Sequence, residues 1–193
     1  TFLLARYANL ITAALALLGF YGYVFLYTHW LKRRTPQNIV IGGAAGAIPP
    51  LVGYAAVTGT LDLTAWTLFL IVFYWTPPHF WALALLKKRD YGAAGVPMAP
   101  LIWGEKHTKD QMLWYLGIMV ALSVLPFCTG AFGLFYLASA LVVAAPLAYG
   151  IIKIRWGKGR DDSTATERFV FMYSLLYLAL LYVAMVVDLH VFR

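Results

Sequence analysis

Six apolar stretches, each long enough to cross a lipid bilayer, constrain this 193-residue chain more than any other feature of its sequence. About 20 apolar residues in a helix span the hydrocarbon core of a membrane. Only 12% of the residues are charged, whereas a soluble domain carries about 25%. The sequence therefore predicts an all-α integral membrane protein with one domain over residues 1–193. The predicted spans are residues 10–31, 39–58, 63–86, 111–127, 132–152 and 167–189.

The loops between these stretches alternate in charge. Twelve of the 15 Lys and Arg residues lie in the loops after the first, third and fifth stretches, and none lie after the second or fourth. Basic loops face the cytoplasm, so we expect these three loops on the cytoplasmic side of a bacterial plasma membrane or the matrix side of a mitochondrial inner membrane. The alternative explanation of the basic loops is an anionic ligand at that surface. We expect the lipid bilayer, and no nucleic acid, as a partner of the +7 chain.

Residues 74–100, YWTPPHFWALALLKKRDYGAAGVPMAP, combine a histidine, a basic cluster and an aspartate. An ionisable residue at membrane depth is costly and suggests a functional role, so His79 is a candidate site residue. The alternative is a buried histidine that bonds a carbonyl freed by Pro77 or Pro78. If the third helix continues past Leu86, His79 and Asp90 lie on one helix face about 16 Å apart.

Asp90 directly follows the basic cluster, and a simple ion pair with Lys87 or Arg89 is the alternative to a functional role. The segment after it, residues 91–100, contains Gly92 and Gly95, which permit close backbone approach. We expect this segment to act as a lid over a ligand or as a plain connection. Two other acids, Asp62 and Asp188, are expected to be solvated at helix ends.

Residues 74–100 and the block YTHWLKRRTPQNIVIGGAAGAIPPLVGYAAVTG at 27–59 closely resemble the heme O synthase (protoheme IX farnesyltransferase) family of the UbiA superfamily of intramembrane prenyltransferases. The resemblance implies a UbiA-type transmembrane helical bundle of nine helices, of which about six are present. It implies transfer of the farnesyl group of farnesyl diphosphate to a vinyl group of heme B, which gives heme O for heme-copper oxidases. It also implies heme A synthase as a partner enzyme.

The resemblance implies roles for individual residues. Family members hold Mg²⁺ with two aspartate-rich motifs, and Asp90 matches the start of the second, as a catalytic residue and metal ligand. His79 matches the family's histidine, which contacts heme or only shapes the helix. The implied substrate-binding residues are Lys32, Arg33, Asn38, Trp75, Trp81, Lys87, Arg89 and Tyr91.

The sequence departs from the family pattern in two places. Ala94 stands four residues after Asp90, where many superfamily members carry a second aspartate. The family's first motif, N-x-x-x-D-x-x-x-D, has no counterpart, because residues 1–61 contain no Asp or Glu. We therefore expect the chain to be the C-terminal two-thirds of such an enzyme and to be inactive alone. Heme O formation by residues 1–193 would refute that expectation.

Two other functions fit parts of the sequence. A UbiA-type prenyltransferase for a quinone ring or chlorophyllide would share the fold, but its second motif should read D-x-x-x-D. A membrane transporter or non-catalytic scaffold fits the proline pairs at 49–50 and 77–78, because interrupted helices are typical of transporters. Against a transporter, the charges lie at one membrane face and no inverted repeat is visible.

Overall fold

The computed structural model describes residues 1–157 and 160–192, and this part of the chain is helical apart from short connections. A π-helical segment, Gly22–Leu31, directly continues the helix Leu10–Tyr21. The α-helices are α1 (Phe2–Tyr7), α2 (Leu10–Tyr21), α3 (Asn38–Gly46), α4 (Ile48–Thr58), α5 (Leu63–Leu86), α6 (Lys88–Ala93), α7 (Ala99–Ile102), α8 (Glu105–Cys128), α9 (Leu134–Trp156) and α10 (Arg160–Val191).

Six helical segments are long and apolar enough to cross a membrane, which confirms the predicted number of spans. The fourth span begins at Glu105, six residues before the predicted start. Its polar first turns are helical but not apolar, so the hydropathy pattern marks the edge of the bilayer and not the end of the helix. The spans are Leu10–Leu31, Asn38–Thr58, Leu63–Leu86, Glu105–Cys128, Leu134–Trp156 and Thr164–Val191.

The second span is interrupted between α3 and α4. The break falls at Ala47, two residues before the proline pair that predicts it. Pro49 and Pro50 occupy the first turn of α4, where the N–H groups that proline lacks have no partner within the helix. Pro77 and Pro78, in contrast, lie inside α5, which continues through them.

Helix α5 is the centre of the bundle. In its most apolar 18-residue stretch, 61% of the residues are buried, against 33% or less in the other spans. It packs against α3, α4, α8 and α10. A helix that is apolar on all sides is buried by its neighbours, and the sequence of α5 has this character. The helix therefore places His79, Trp81 and the residues after Leu86 at the junction of the other elements.

Asp188 is not solvated, which corrects the sequence-based expectation. Its side chain is fully buried and accepts hydrogen bonds from the N–H groups of Gly133, at 2.6 Å, and Tyr136, at 3.0 Å. These N–H groups begin α9, where helix geometry leaves them without backbone partners. Asp62, as expected, is exposed, and it caps α5 through the N–H of Ala65.

Candidate functional site

The chain turns where α5 ends at Leu86, which is also the predicted end of the third span. The condition for placing His79 and Asp90 on one helix face, a helix that continues past Leu86, is therefore not met. Lys87 separates α5 from α6 with φ −106° and ψ 25°. The turn folds α6 and α7 back over the end of α5, where they form a small second core. Ile39, Ala84 and Met98 are buried in that core, and Phe80, Tyr91, Val96 and Leu101 pack against it.

Residues 91–100 are anchored by this core. Met98, Ala99 and Pro100 are buried, and partial burial raises the pKa of the Tyr91 phenol. Gly95 has a φ of 64°, a left-handed conformation that favours glycine. The segment is thus a folded cap on the end of α5, and its predicted role as a lid over a ligand stays a prediction.

Asp90 lies on the outside of this cap. Its carboxylate is 3.2 Å from the ammonium group of Lys87, and the two side chains are 69% and 56% exposed. The simple ion pair that sequence reasoning offered as an alternative is therefore present. Such an exposed pair stabilises a protein by only about 0–1 kcal/mol, so Lys87 is easily displaced from the carboxylate.

The acids around Asp90 do not complete a metal site by themselves. Mg²⁺ is usually bound by one or two protein carboxylates together with substrate phosphates. Asp90 supplies one such carboxylate, but Glu105 is engaged by Lys88 at 2.8 Å and Lys109 at 3.7 Å. Residues 1–157 and 160–192 contain no group of three His, Cys, Asp or Glu side chains suited to a metal ion. Asp90 can therefore contribute one ligand only.

The pair between Lys88 and Glu105 joins α6 to the first residue of α8. Farther along α8, Asp110 binds Arg155 of α9. The first pair connects α6 to the bundle, and the second joins α8 to α9. Sequence reasoning assigned neither Lys88 nor Glu105 a role, since an ion pair between residues 17 positions apart has no local sequence pattern.

His79 is buried between two aromatic rings. Its ring centroid lies 4.4 Å from that of Trp75 and 4.6 Å from that of Phe171, and both pairs are stacked. Its Nδ1 lies 2.7 Å from the hydroxyl oxygen of Ser174 on α10. That hydroxyl oxygen also lies 2.8 Å from the carbonyl oxygen of Phe171, so Ser174 links His79 to the backbone of α10.

These contacts are those of an anchor between α5 and α10. The partner is a hydroxyl and not the predicted carbonyl freed by proline. Trp75 also links α5 to α10, because its indole N–H donates to the carbonyl of Ser174 at 2.8 Å. The substrate-binding role of Trp75 and the catalytic role of His79 stay predictions.

Trp81 lies at a different place, in a cleft of about 540 Å³. The cleft opens beside the cap, and Trp81 meets Trp103 and Tyr115 edge to face, with centroids 6.2 Å and 5.3 Å apart. Trp81 is 1% exposed, and its indole N–H has no hydrogen-bond partner among the described residues. The lining residues are Gln37, Val40, Trp81, Trp103, His107, Gln111 and Tyr115; we call them the aromatic cleft.

The remaining candidates surround the cap. Lys32, Arg33 and Arg89 are exposed, and Asn38 is fully buried. The side-chain amide of Asn38 donates to the carbonyl of Lys32 at 3.3 Å, and thereby holds the loop that carries the first basic cluster. Ile39, the next residue, packs in the same small core as Tyr91. The two basic loops therefore lie close together on one side of the bundle.

A sequence model described as the UbiA prenyltransferase family matches residues 1–187. The chain belongs to the UbiA prenyltransferase family. This membership and the six apolar helices confirm the predicted all-α integral membrane protein. In this chain the residues of the cap at 91–100 and the exposed cations Lys32, Arg33, Lys87 and Arg89 lie within the two sequence blocks, residues 27–59 and 74–100.

Curated relatives named protoheme IX farnesyltransferase match nearly the whole chain. The one from Roseiflexus castenholzii is 54% identical over 190 residues, which cover 98% of this chain and 35% of the relative. That from Picosynechococcus sp. is 53% identical over 96% of this chain and 58% of its own length. The relative from Thermus thermophilus is 51% identical over 94% of this chain and 29% of its own length. The chain thus spans less than two-thirds of these relatives.

A solved structure supports the fold. It is described as giving structural and mechanistic insights into digeranylgeranylglyceryl phosphate synthase in membranes, and it matches with a TM-score of 0.78. The match covers 95% of this chain and 64% of the other, at 18% sequence identity. At that identity the likeness establishes the arrangement of the helices.

Proposed function

We propose that this UbiA family member transfers the farnesyl group of farnesyl diphosphate to a vinyl group of heme B and so forms heme O for heme-copper oxidases. The observation that carries the proposal is the identity of 51–54% to protoheme IX farnesyltransferases over at least 94% of the chain. Both substrates partition into lipid, so an intramembrane bundle is a suitable place for them to meet.

The proposed reaction is a prenyl transfer followed by the addition of water. The allylic C–O bond of farnesyl diphosphate breaks, and the diphosphate leaves with the electron pair. The allylic carbon bonds to the terminal vinyl carbon of heme B, which leaves a cation on the adjacent carbon. Water adds to that cation and loses a proton, which yields a hydroxyl group. A positively charged site favours this departure because charge develops on the diphosphate.

The exposed cations beside the cap are the proposed diphosphate site. Lys32, Arg33, Lys87 and Arg89 are solvent-accessible, so binding an anion does not require breaking a buried contact. Asp90 is the proposed magnesium ligand, since its weak pair with Lys87 can open at little cost. A bound Mg²⁺ would neutralise charge on the diphosphate. The oxygen ligands beyond Asp90 would come from the diphosphate, from water and from groups outside the described residues.

We further propose that the basic loops face the cytoplasm or the mitochondrial matrix, and that heme A synthase uses the product. Sidedness is tested by cysteine labelling of full-length protein in sealed vesicles. Cys128 is exposed at the last residue of α8, the end away from the basic loop, and serves as the reference thiol. A cysteine in place of Arg34 should react from the opposite side of the membrane to Cys128. Reaction of both thiols from one side would contradict the orientation.

The acceptor is tested by incubating the full-length enzyme with farnesyl diphosphate, Mg²⁺ and one of three acceptors. We expect a product of the mass of heme O from heme B and no prenylated product from 4-hydroxybenzoate or chlorophyllide. Prenylation of either of the other acceptors in place of heme B would assign the enzyme to another branch of the family. No transfer to any acceptor would favour a transporter or scaffold.

A further inference from the structure

We propose that the aromatic cleft binds a carboxylate-bearing edge of a planar tetrapyrrole, with the buried indole N–H of Trp81 as a hydrogen-bond donor. The proposal rests on the proposed function, because it assigns the acceptor substrate to a particular place. It concerns a different surface from the exposed cations assigned to the diphosphate.

The chemistry of the cleft suits an acidic aromatic ligand. None of its seven lining residues is acidic, four have an aromatic ring with a hydrogen-bond donor and two carry carboxamides. Aromatic side chains stabilise flat ligands through stacked and edge-to-face contacts. The side chains of Gln37 and Gln111 offer further N–H groups, and a carboxylate that accepts several N–H bonds stays ionised in a buried site.

Trp81 gives the strongest indication of a ligand. Buried polar groups nearly always have a hydrogen-bond partner, yet its N–H has none among residues 1–157 and 160–192. Trp81 lines the cleft together with Trp103 and Tyr115, whose rings pack edge to face against its own. Trp75, also buried on α5, donates instead to the carbonyl of Ser174. The other buried side-chain atoms without a partner among the described residues are Asn38 Oδ1 and the hydroxyl of Tyr182, and neither residue lines the cleft.

The size and location of the cleft favour a tetrapyrrole over a single ring. Ligand pockets commonly measure about 300–1,000 Å³, and the cleft, at about 540 Å³, is large for one benzene ring. His107 and Gln111 lie on the same first turns of α8 as Glu105, whose partner Lys88 lies two residues before Asp90. A tetrapyrrole in the cleft would therefore lie next to the cap that carries the proposed diphosphate site.

The test is a fluorescence titration of the full-length protein in lipid nanodiscs with zinc protoporphyrin IX and with its dimethyl ester. Trp81→Phe keeps the ring and removes the N–H. We expect it to weaken binding of the free acid about tenfold, the effect of one hydrogen bond to a charged group. The dimethyl ester should bind the unsubstituted protein and Trp81→Phe equally weakly. Trp114→Phe, at an exposed position of α8 outside the cleft, should bind both ligands as the unsubstituted protein does.

A second variant guards against misfolding of the first. Gln111→Met removes a carboxamide from the cleft at similar volume, and it should weaken binding of the free acid several-fold and leave binding of the ester unchanged. Unchanged affinity for the free acid in both variants would overturn the proposal, as would an equal loss for acid and ester. If the unsubstituted protein still makes heme O in that case, only the assignment of the tetrapyrrole to the aromatic cleft is wrong. If it binds no tetrapyrrole and makes no heme O, the proposed function fails as well.

Discussion

The ammonium group of Lys88 lies 2.8 Å from a carboxylate oxygen of Glu105, and this pair joins α6 to α8. Helix α6 carries Asp90, and α8 carries three of the seven residues that line the aromatic cleft. The pair therefore sets the position of the proposed diphosphate site relative to the proposed tetrapyrrole site. Both side chains are partly exposed, at 39% and 47%. The ion pair therefore mainly fixes the position of α6 relative to α8 and adds little to the stability of the protein.

Glu105→Gln should raise the KM for farnesyl diphosphate several-fold and change the stability by less than about 1 kcal/mol. The physical reason is that α6 loses its connection to α8 while the buried core under the cap is unchanged. Steady-state kinetics of the full-length enzyme would measure the effect, with Lys106→Gln, at an exposed position on the same turn, as the control. The exchange Lys88→Glu with Glu105→Lys should restore the KM. A failure of the exchange to do so would show that Glu105 acts in another way.

Ser174→Ala should lower the free energy of unfolding by about 1–2 kcal/mol, because it removes the hydroxyl that His79 contacts. His79→Ala should cost about 2–4 kcal/mol through the loss of its stacked contacts. Denaturation of the purified protein would give both values, and the double variant should cost less than their sum, since the residues interact. If His79 is only an anchor, kcat per folded enzyme stays within about twofold. A drop of a hundredfold would support the catalytic role predicted from the sequence.

Asp188→Ala should destabilise the protein by about 2–4 kcal/mol, because two buried N–H groups at the start of α9 lose their acceptor. Thermal unfolding in detergent would measure the change. Asp62→Ala is the matched control, since Asp62 also caps a helix but is exposed, and water can replace its side chain. Equal losses in the two variants would contradict the importance of burial at Asp188.

The stability that the hydrogen bond between Tyr54 and Asp62 gives to the turn between α4 and α5 should decrease at acidic pH. The hydroxyl of Tyr54 donates to Asp62 at 2.5 Å, and this hydrogen bond, with that from the N–H of Ala65, lowers the pKa of Asp62 below its usual 3.8. A lowered pKa in the folded state stabilises the protein above the ordinary pKa, and that stabilisation is lost as the pH falls through the folded value. Tyr54→Phe should therefore be less stable than the unsubstituted protein at pH 6, and the difference should shrink below pH 4. A constant difference would rule out the ionised carboxylate as its source.

The sequence predicts the spans well because each span is a run of about 20 consecutive apolar residues. Such a run can be recognised without knowledge of distant parts of the chain. Asp188 was assigned wrongly because the helix start that it caps lies 52–55 residues earlier in the chain. The end of α5 at Leu86 agrees with the predicted third span. The packing of Met98 with Ile39 and Ala84 joins distant parts of the chain, so no local sequence pattern indicates it. The aromatic cleft draws its residues from four separate segments, so only Trp81 among them could be chosen from a motif.

Heme O formation by the full-length enzyme, measured by mass spectrometry as Mg²⁺ is varied, tests the central claim most directly. The account predicts that the unsubstituted enzyme and an Asp62→Asn control form heme O only when Mg²⁺ is present. Asp90→Asn should lower the rate at least about a hundredfold, the size typical of losing one group that stabilises developing charge. Heme O formation at the same rate by Asp90→Asn, or without any divalent metal, would contradict the proposed site.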